Sequence, residues 1–297
     1  MKPPPQTWYW PWENHSELRR ALDLRAFAEA GADAVVMTDC ILGEMLGSLA
    51  AAARWRALLA DAGLRFRDAH STYIGGLDDP ECADPALWRP MIDRYRAQLD
   101  LCAAFGVETL TVHPGVPRAE EPGRDGVASA TARLLRALDA ILPAAEEANV
   151  VICLENIFFP TCTVAVLLEA VRRFPSPWLG LCWDSGHDNL VRSGAPDSEE
   201  QTACREAAKV GLDRERNDRV LERMLPHVAT CHVHSNDGQR DRHWLPDDPR
   251  GTVDWTRLVP LLLSAPRLRQ IQCEAVPKFE NPFTPAQSVG ALRKAFA

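Results

Sequence analysis

Residues 150–187 read VVICLENIFFPTCTVAVLLEAVRRFPSPWLGLCWDSGH. Two apolar runs, 150–155 and 178–184, lack the alternation of a half-exposed strand. That is the pattern of parallel strands covered by helices. Between them, Thr163 can cap a helix that ends at Phe174, before Pro175. Strand, helix and strand form one parallel crossover unit, and each strand closes on a carboxylate, Glu155 and then Asp184.

The same unit recurs in both directions along the chain. Further strands are expected at 8–10, 34–38, 64–70, 108–113, 228–234 and 270–276. Ser16 can cap a first helix that ends before Gly31. Asp84 and Pro85 open another, stopped by Gly106. Amphipathic stretches at 43–62, 125–148 and 254–263 supply more, and Thr284 with Pro285 opens the last. Eight strands alternating with eight helices predict an α/β protein, a single (β/α)₈ TIM barrel filling residues 1–297 as one domain. The competing architecture is an open doubly wound sheet, but no GxGxxG follows the first strand. One connection is long: a charged, helix-patterned segment at about 188–227 reads as a helical insertion after the sixth strand. In a barrel it would hang over the active face, as a lid or as a surface helix.

Composition narrows the setting. No apolar run is long enough for a transmembrane helix, and the Pro- and Trp-rich start lacks a signal core, so no membrane and a cytoplasmic location are expected. The nine Cys are odd in number and scattered, with Cys153, Cys182, Cys231 and Cys273 inside strand-like runs, which reads as buried reduced thiols. No CxxC pair occurs, so a structural zinc ribbon is not expected. A net charge of −8 argues against a nucleic-acid partner, whose phosphates call for a basic face.

The chemistry lies at the strand ends. His70 closes the third strand, His113 the fourth, Glu155 the fifth, Asp184 the sixth, His234 the seventh and Glu274 the eighth. His187, Asp241 and His243 follow in adjoining loops. In a (β/α)₈ barrel these ends form one rim, where active sites sit. Taken alone, a His at a strand end is more often a hydrogen-bonded structural residue, and a Glu or Asp more often a cap for the following helix. Six consecutive strands ending in His, Asp or Glu do not read that way, because charged groups are rarely buried unless paired or bound to metal. Imidazole and carboxylate ligands suit Zn²⁺ or Mn²⁺ foremost, with Co²⁺, Fe²⁺ or Mg²⁺ also admitted. Cys153 and Cys182, two residues before Glu155 and Asp184, read as small core residues beneath the site. His232 stands in the same relation to His234 and is read as facing substrate or standing behind the ligands. Asn156 and Asn236 are candidate supporting donors.

The run HVHSNDGQRDRHWLPDDPRGTVDW, residues 232–255, carries a family resemblance that extends over nearly the whole chain. It resembles the xylose isomerase-like TIM-barrel superfamily, which holds sugar isomerases and epimerases and also the endonuclease IV class of abasic-site nucleases. The WLPDDPRG stretch departs from the Gly-rich turn of that pattern. The resemblance implies a single-metal quartet of Glu155, Asp184, His234 and Glu274, with the two Glu residues as the acid/base pair. It also implies a larger, nine-ligand set for up to three ions. His70, His113 and a bridging Glu155 would hold one ion, the quartet a second, and His187, Asp241 and His243 a third. One to three divalent metals per chain are therefore expected, and relatives of this kind often form homo-oligomers.

Three functions follow as expectations. The first is a metal-dependent isomerase or epimerase of a small sugar or sugar-like molecule, using Glu155 and Glu274 for proton transfer. The second is a multinuclear zinc hydrolase of the endonuclease IV type, and the third a non-catalytic metal- or ligand-binding barrel. Trp10, Trp12, Trp183 and Trp244 either line a sugar-stacking pocket or pack as core and loop anchors.

Overall fold

Eight parallel strands run through the chain: β1 (Gln6–Trp8), β2 (Ala34–Met37), β3 (Arg65–His70), β4 (Thr109–Val112), β5 (Val151–Glu155), β6 (Leu179–Asp184), β7 (Val228–Val233) and β8 (Ile271–Cys273). They hydrogen-bond in the order β1-β8-β7-β6-β5-β4-β3-β2. β1 and β2, the two ends of that ladder, pack against each other, so the sheet is a nearly closed (β/α)₈ barrel. This is a computed structural model; it describes residues 4–13, 15–72, 80, 82, 84–115, 123–193, 195, 198–199, 201–202 and 219–297.

The described helices are α1 (Glu17–Glu29), α2 (Asp39–Gly47), α3 (Leu49–Ala62), α4 (Pro85–Phe105), α5 (Gly123–Ala148), α6 (Val164–Arg173), α7 (Ser185–Ser193), α8 (Val220–Met224), α9 (Trp255–Leu263) and α10 (Pro285–Ala295). Their ends follow the local chemistry. Ser16 Oγ accepts from Arg19 N, and Asp84 Oδ1 accepts from Ala86 N. Thr284 and Gln287 form a reciprocal capping box, and Gly106 closes α4 at φ 71°. Thr163 holds the N-cap position of α6 but makes no side-chain cap bond.

Three boundaries differ from the sequence expectation. β1 lies two residues earlier than 8–10, because Pro11 has no N–H and the ladder to β8 ends with Tyr9 N donating to Cys273 O at 2.9 Å. The stretch 43–62 is two helices, not one. Ser48 is extended (φ −160°, ψ 118°), ends α2, and accepts from Ala51 N at 3.3 Å to start α3. Of the expected insertion at 188–227, α7 begins directly after Asp184 and α8 leads into β7, while 203–218 lie outside the described residues.

Beneath the strand ends the barrel interior is partly polar. Asp68 on β3 is fully buried and accepts from Ala69 N at 3.0 Å and from the Thr109 hydroxyl. Thr230 on β7 reaches across the barrel to Asp68 Oδ2 at 2.9 Å. Gln270, just before β8, donates to Thr109 Oγ1 and completes the set. Beside this network Val151, Cys153, Cys182 and Ala229 make a small apolar cluster, so the two thiols fill the barrel interior.

Burial raises the Asp68 carboxyl to about 6, against the lowering influence of His232 and the two threonine hydroxyls. A folded-state value above the unfolded one means that stability is lost as pH rises from about 4 to 6. The loss from this group is of order 3 kcal/mol. Asp68→Asn is neutral throughout that range. Urea unfolding at pH 4 and pH 7 should therefore show the variant gaining on wild type by about that amount at the higher pH; an unchanged difference would exclude a protonated native Asp68.

Candidate metal centre at the strand ends

β3 to β8 each deliver an imidazole or carboxylate to the C-terminal rim, either from a final inward-facing residue or from the residue just after. Glu155, at the end of β5, is the hub. Its Oε2 lies 3.1 Å from His113 Nε2 and 3.5 Å from His70 Nε2. Its Oε1 lies 3.2 Å from His232 Nδ1 and 3.4 Å from His187 Nδ1. Glu274 Oε2 lies 3.1 Å from the same His232 Nδ1. Asp184 Oδ2 lies 3.0 Å from His234 Nε2, and its Oδ1 accepts from His187 N at 2.6 Å. Asp241 Oδ2 meets His243 Nε2 at 3.0 Å and His187 Nε2 at 3.3 Å.

These contacts resolve into three groups whose donor atoms lie within 4.8 Å of one another: His70, His113 and Glu155; Glu155, Asp184, His232 and Glu274; and His234, Asp241 and His243. Eight of the nine residues expected to bind metal fall in these groups; the ninth, His187, lies beside Glu155, Asp184 and Asp241 but belongs to none of the three. The imidazoles are shared out differently from the expectation. His232, not His234, stands among Glu155, Asp184 and Glu274. His234 instead faces Asp184 and stacks on His243, with ring centroids 4.0 Å apart and planes 11° from parallel.

Supporting residues hold this arrangement. Asn156 accepts from Asp184 N at 2.8 Å and donates to Asp184 O at 3.1 Å. His70, His187 and His243 turn Nδ1 onto the backbone oxygens of Ser71, Asn156 and Glu274, which leaves Nε2 to face the site. Asn236 donates to Gly186 O at 2.9 Å and accepts from Asn189. His243 has φ 52°, a left-handed conformation uncommon for a side chain of its size. It is held there by the paired bonds between Ser235 and Trp244 and by Val276 N donating to His243 O.

The electrostatics ask for a cation. Glu155, Asp184, Asp241 and Glu274 converge, and among the described residues no Lys or Arg forms an ion pair with any of them. Glu155 Oε2 and Asp241 Oδ1 are buried without a hydrogen bond, as is His234 Nδ1. Such atoms are costly unless something compensates them. Without a metal, the imidazoles take up the charge. Burial opposes protonation of His187, but Asp184 and Asp241 outweigh it and hold the ring well above its usual range. Burial likewise opposes a charged His243, yet Asp241 lifts it to about 9. At His113 burial prevails over Glu155 and the value falls. Burial raises Glu274, but His232 more than reverses this and holds it at about 2. The donor set therefore fits a divalent cation on chemistry, charge and unsatisfied atoms.

The four tryptophans considered for sugar stacking or for packing are all buried. Trp183 immediately precedes the inward-facing Asp184, so strand alternation turns it outward. It is fully buried and donates to Asp188 Oδ2 at 2.9 Å. Trp10 packs edge-on against Phe27 and Phe283 and donates to Asp23. Trp12 packs against Trp55. Trp244 is a mostly buried loop anchor, with the Arg250 guanidinium 4.3 Å from its ring centroid. His232, expected to face substrate or to stand behind the ligands, has no exposed surface.

Gly186 escaped the sequence reading. A Cβ there would collide with His234 Cε1, so His234 is wedged between the Gly186 backbone and the His243 ring. The SGH triplet after Asp184 was the available signal.

A sequence model of the family described as Xylose isomerase-like TIM barrel matches residues 24–282. An uncharacterized protein of Sinorhizobium fredii is 25% identical over 166 residues, covering 55% of this chain and 46% of that protein. Among solved structures, a D-tagatose 3-epimerase-like protein superposes with a TM-score of 0.69 at 17% identity, over 98% of this chain and 96% of its own. A D-psicose 3-epimerase from Clostridium cellulolyticum, solved with D-tagatose, gives 0.67 at 12% identity, over 97% and 89%. At these identities the likeness is one of fold.

Gly186→Ala is expected to lower stability by about 1–3 kcal/mol, as overpacking does, because the His234 ring has no free side to move toward. Urea unfolding measures this. A variant as stable as wild type would show that the ring is not confined.

Proposed function

Because the chain belongs to the xylose isomerase-like TIM-barrel family, we propose that it is a divalent-metal-dependent isomerase or epimerase of a small sugar or sugar-like substrate. One observation carries the reading. Two buried glutamates from strands on opposite parts of the barrel, Glu155 and Glu274, meet at one point beside Asp184, with imidazoles and, among the described residues, no Lys or Arg in an ion pair with them. The fold shared with a D-tagatose 3-epimerase-like protein and a D-psicose 3-epimerase supports it.

Glu155, Asp184, Glu274 and an imidazole of His234 or His232 would hold the ion, Zn²⁺ or Mn²⁺ by ligand type. A divalent cation there supplies a Lewis acid for the carbonyl and neighbouring hydroxyl oxygens of the substrate. The proton chemistry belongs to the glutamates. One carboxylate removes the proton from the carbon beside the carbonyl, and the other returns a proton to the opposite face, so the stereocentre is inverted. Their surroundings differ, as such roles require. Burial opposes charge on both; His232 and His113 counter it at Glu155, His232 and His243 at Glu274. The eight described cysteines are free thiols, which fits a reducing, cytoplasmic setting, and no described helix is long and apolar enough to cross a membrane.

A second reading, a multinuclear hydrolase, draws on the two flanking groups, His70–His113–Glu155 and His234–Asp241–His243. Metal analysis of protein purified without added metal separates the two. One ion per chain supports the epimerase, whereas about three zinc ions would count against it.

Glu155→Gln and Glu274→Gln should each abolish deuterium uptake from D₂O into ketohexose substrates, read by NMR, and lower metal content. Unchanged metal content in both variants would refute the site. Metal binding should also release protons at pH 7. His187 and His243 are held charged by neighbouring carboxylates that outweigh burial, and a cation displaces those protons. Affinity should accordingly rise with pH up to the His243 value of about 9. Calorimetry in buffers of different ionisation enthalpy measures the release, and a buffer-independent heat would contradict it.

A further inference from the structure

We infer that Glu199, from the segment between α7 and α8, is a positioning residue that holds Asp241 in the metal centre, a role that rests on the reading of Asp241 as a metal ligand. Asp241 lies in a loop, outside any strand. Its Oδ2 is 3.0 Å from His243 Nε2 and 3.3 Å from His187 Nε2, and its Oδ1 is buried without a hydrogen bond. A ligand carried on a loop points reliably only if its backbone is fixed from outside. Three consecutive backbone N–H groups of this loop are met by carboxylates. Asp237 Oδ1 accepts from Gln239 N and from Arg240 N, both at 2.9 Å. Asp241 N, the third, donates to Glu199 Oε2 at 2.8 Å.

The Asp237 bonds are a local turn, but the Glu199 bond reaches across 42 residues of chain. Glu199 N donates in return to Gln239 O at 2.7 Å, so Glu199 grips the loop on both sides of Arg240. Its own place is set by the fully buried Ser198, whose Oγ accepts from Gln201 N at 3.0 Å and whose O accepts from Thr202 N at 2.9 Å. The direction of the Asp241–Glu199 bond is fixed by chemistry, because a backbone N–H only donates and the side-chain oxygen must accept. Glu199 belongs to none of the three donor groups, so it acts on the centre through the Asp241 backbone. Coupling of this kind is reciprocal. Whatever fixes Asp241, a bound ion included, also steadies residues 198–202.

Three substitutions test this, with Co²⁺ as the only added metal. Gln keeps an accepting oxygen at the same reach without the charge, Asp keeps the charge one bond short, and Ala removes both. Metal-free protein is titrated with Co²⁺, following the visible d–d absorption and the ions bound per chain. Amide exchange over residues 198–202 and 239–241 is followed by mass spectrometry with and without the metal. Glu199→Gln should keep the wild-type band and bind within about threefold of wild type. Glu199→Asp and Glu199→Ala should shift the band and weaken the binding of an ion at least about tenfold, the range seen when a residue supporting a metal ligand is lost. Cobalt should slow exchange at 198–202 in wild type and Glu199→Gln, but not in Glu199→Asp or Glu199→Ala. If Glu199→Ala does not fold, the contrast between Gln and Asp carries the test. Wild-type bands and affinities in the Asp and Ala variants would overturn the proposal, as would unslowed exchange at 198–202 in cobalt-loaded wild type. A Gln variant as weak as Ala, or lacking an ion, would overturn it by making the carboxylate charge the active feature. Asp241→Ala and Glu155→Gln run alongside. Wild-type cobalt binding by Asp241→Ala would overturn the proposal at its premise, whereas wild-type binding by Glu155→Gln would count against the proposed function, a result separate from any outcome at Glu199.

Discussion

Glu155 is where the constraints of this protein meet. Its two oxygens face imidazoles delivered from four places: His70 from β3, His113 after β4, His187 from α7 and His232 from β7. A buried carboxylate is stable only if its surroundings supply positive charge or hydrogen bonds. Among the described residues every ion-pair partner of Glu155 is a histidine whose own charge is conditional. The rim is therefore a balance of carboxylates and protonatable rings, which a divalent cation can settle by replacing the protons.

The barrel makes that convergence possible. Parallel strands point the same way, so their C-terminal ends share a rim, and alternation sends every second side chain inward. The inward position that carries Asp184 turns its neighbour Trp183 into the helix layer. Below the rim, the Asp68–Thr109–Thr230–Gln270 network links β3, β4, β7 and the residue that leads into β8 across the interior. The floor of the site is thereby tied together by hydrogen bonds as well as by packing.

Backbone constraint is concentrated at the same place. His243 is held in a left-handed conformation by bonds on both sides, and His234 is confined between that ring and the bare backbone of Gly186. Conformations of this kind persist where the surrounding structure over-determines them, and they cluster at functional sites. The loop 235–244 is therefore as much a part of the site as the strands.

The sequence by itself determined the strand–helix alternation, the barrel, and the residue types gathered at the strand ends. These follow from local periodicity, capping and turn chemistry, which act over a few residues and are visible in one dimension. It did not determine where β1 ends, the break at Ser48, or which histidine stands beside which carboxylate. His232 and His234 have the same spacing pattern and the same inward face. Only the tilt and register of β7 against β6 and β8 place the first between Glu155 and Glu274 and the second against Asp184 and His243. The tryptophans went the same way: their size and ring chemistry were legible, but the side of the sheet and the partners that bury them were decided by packing between elements far apart in the chain.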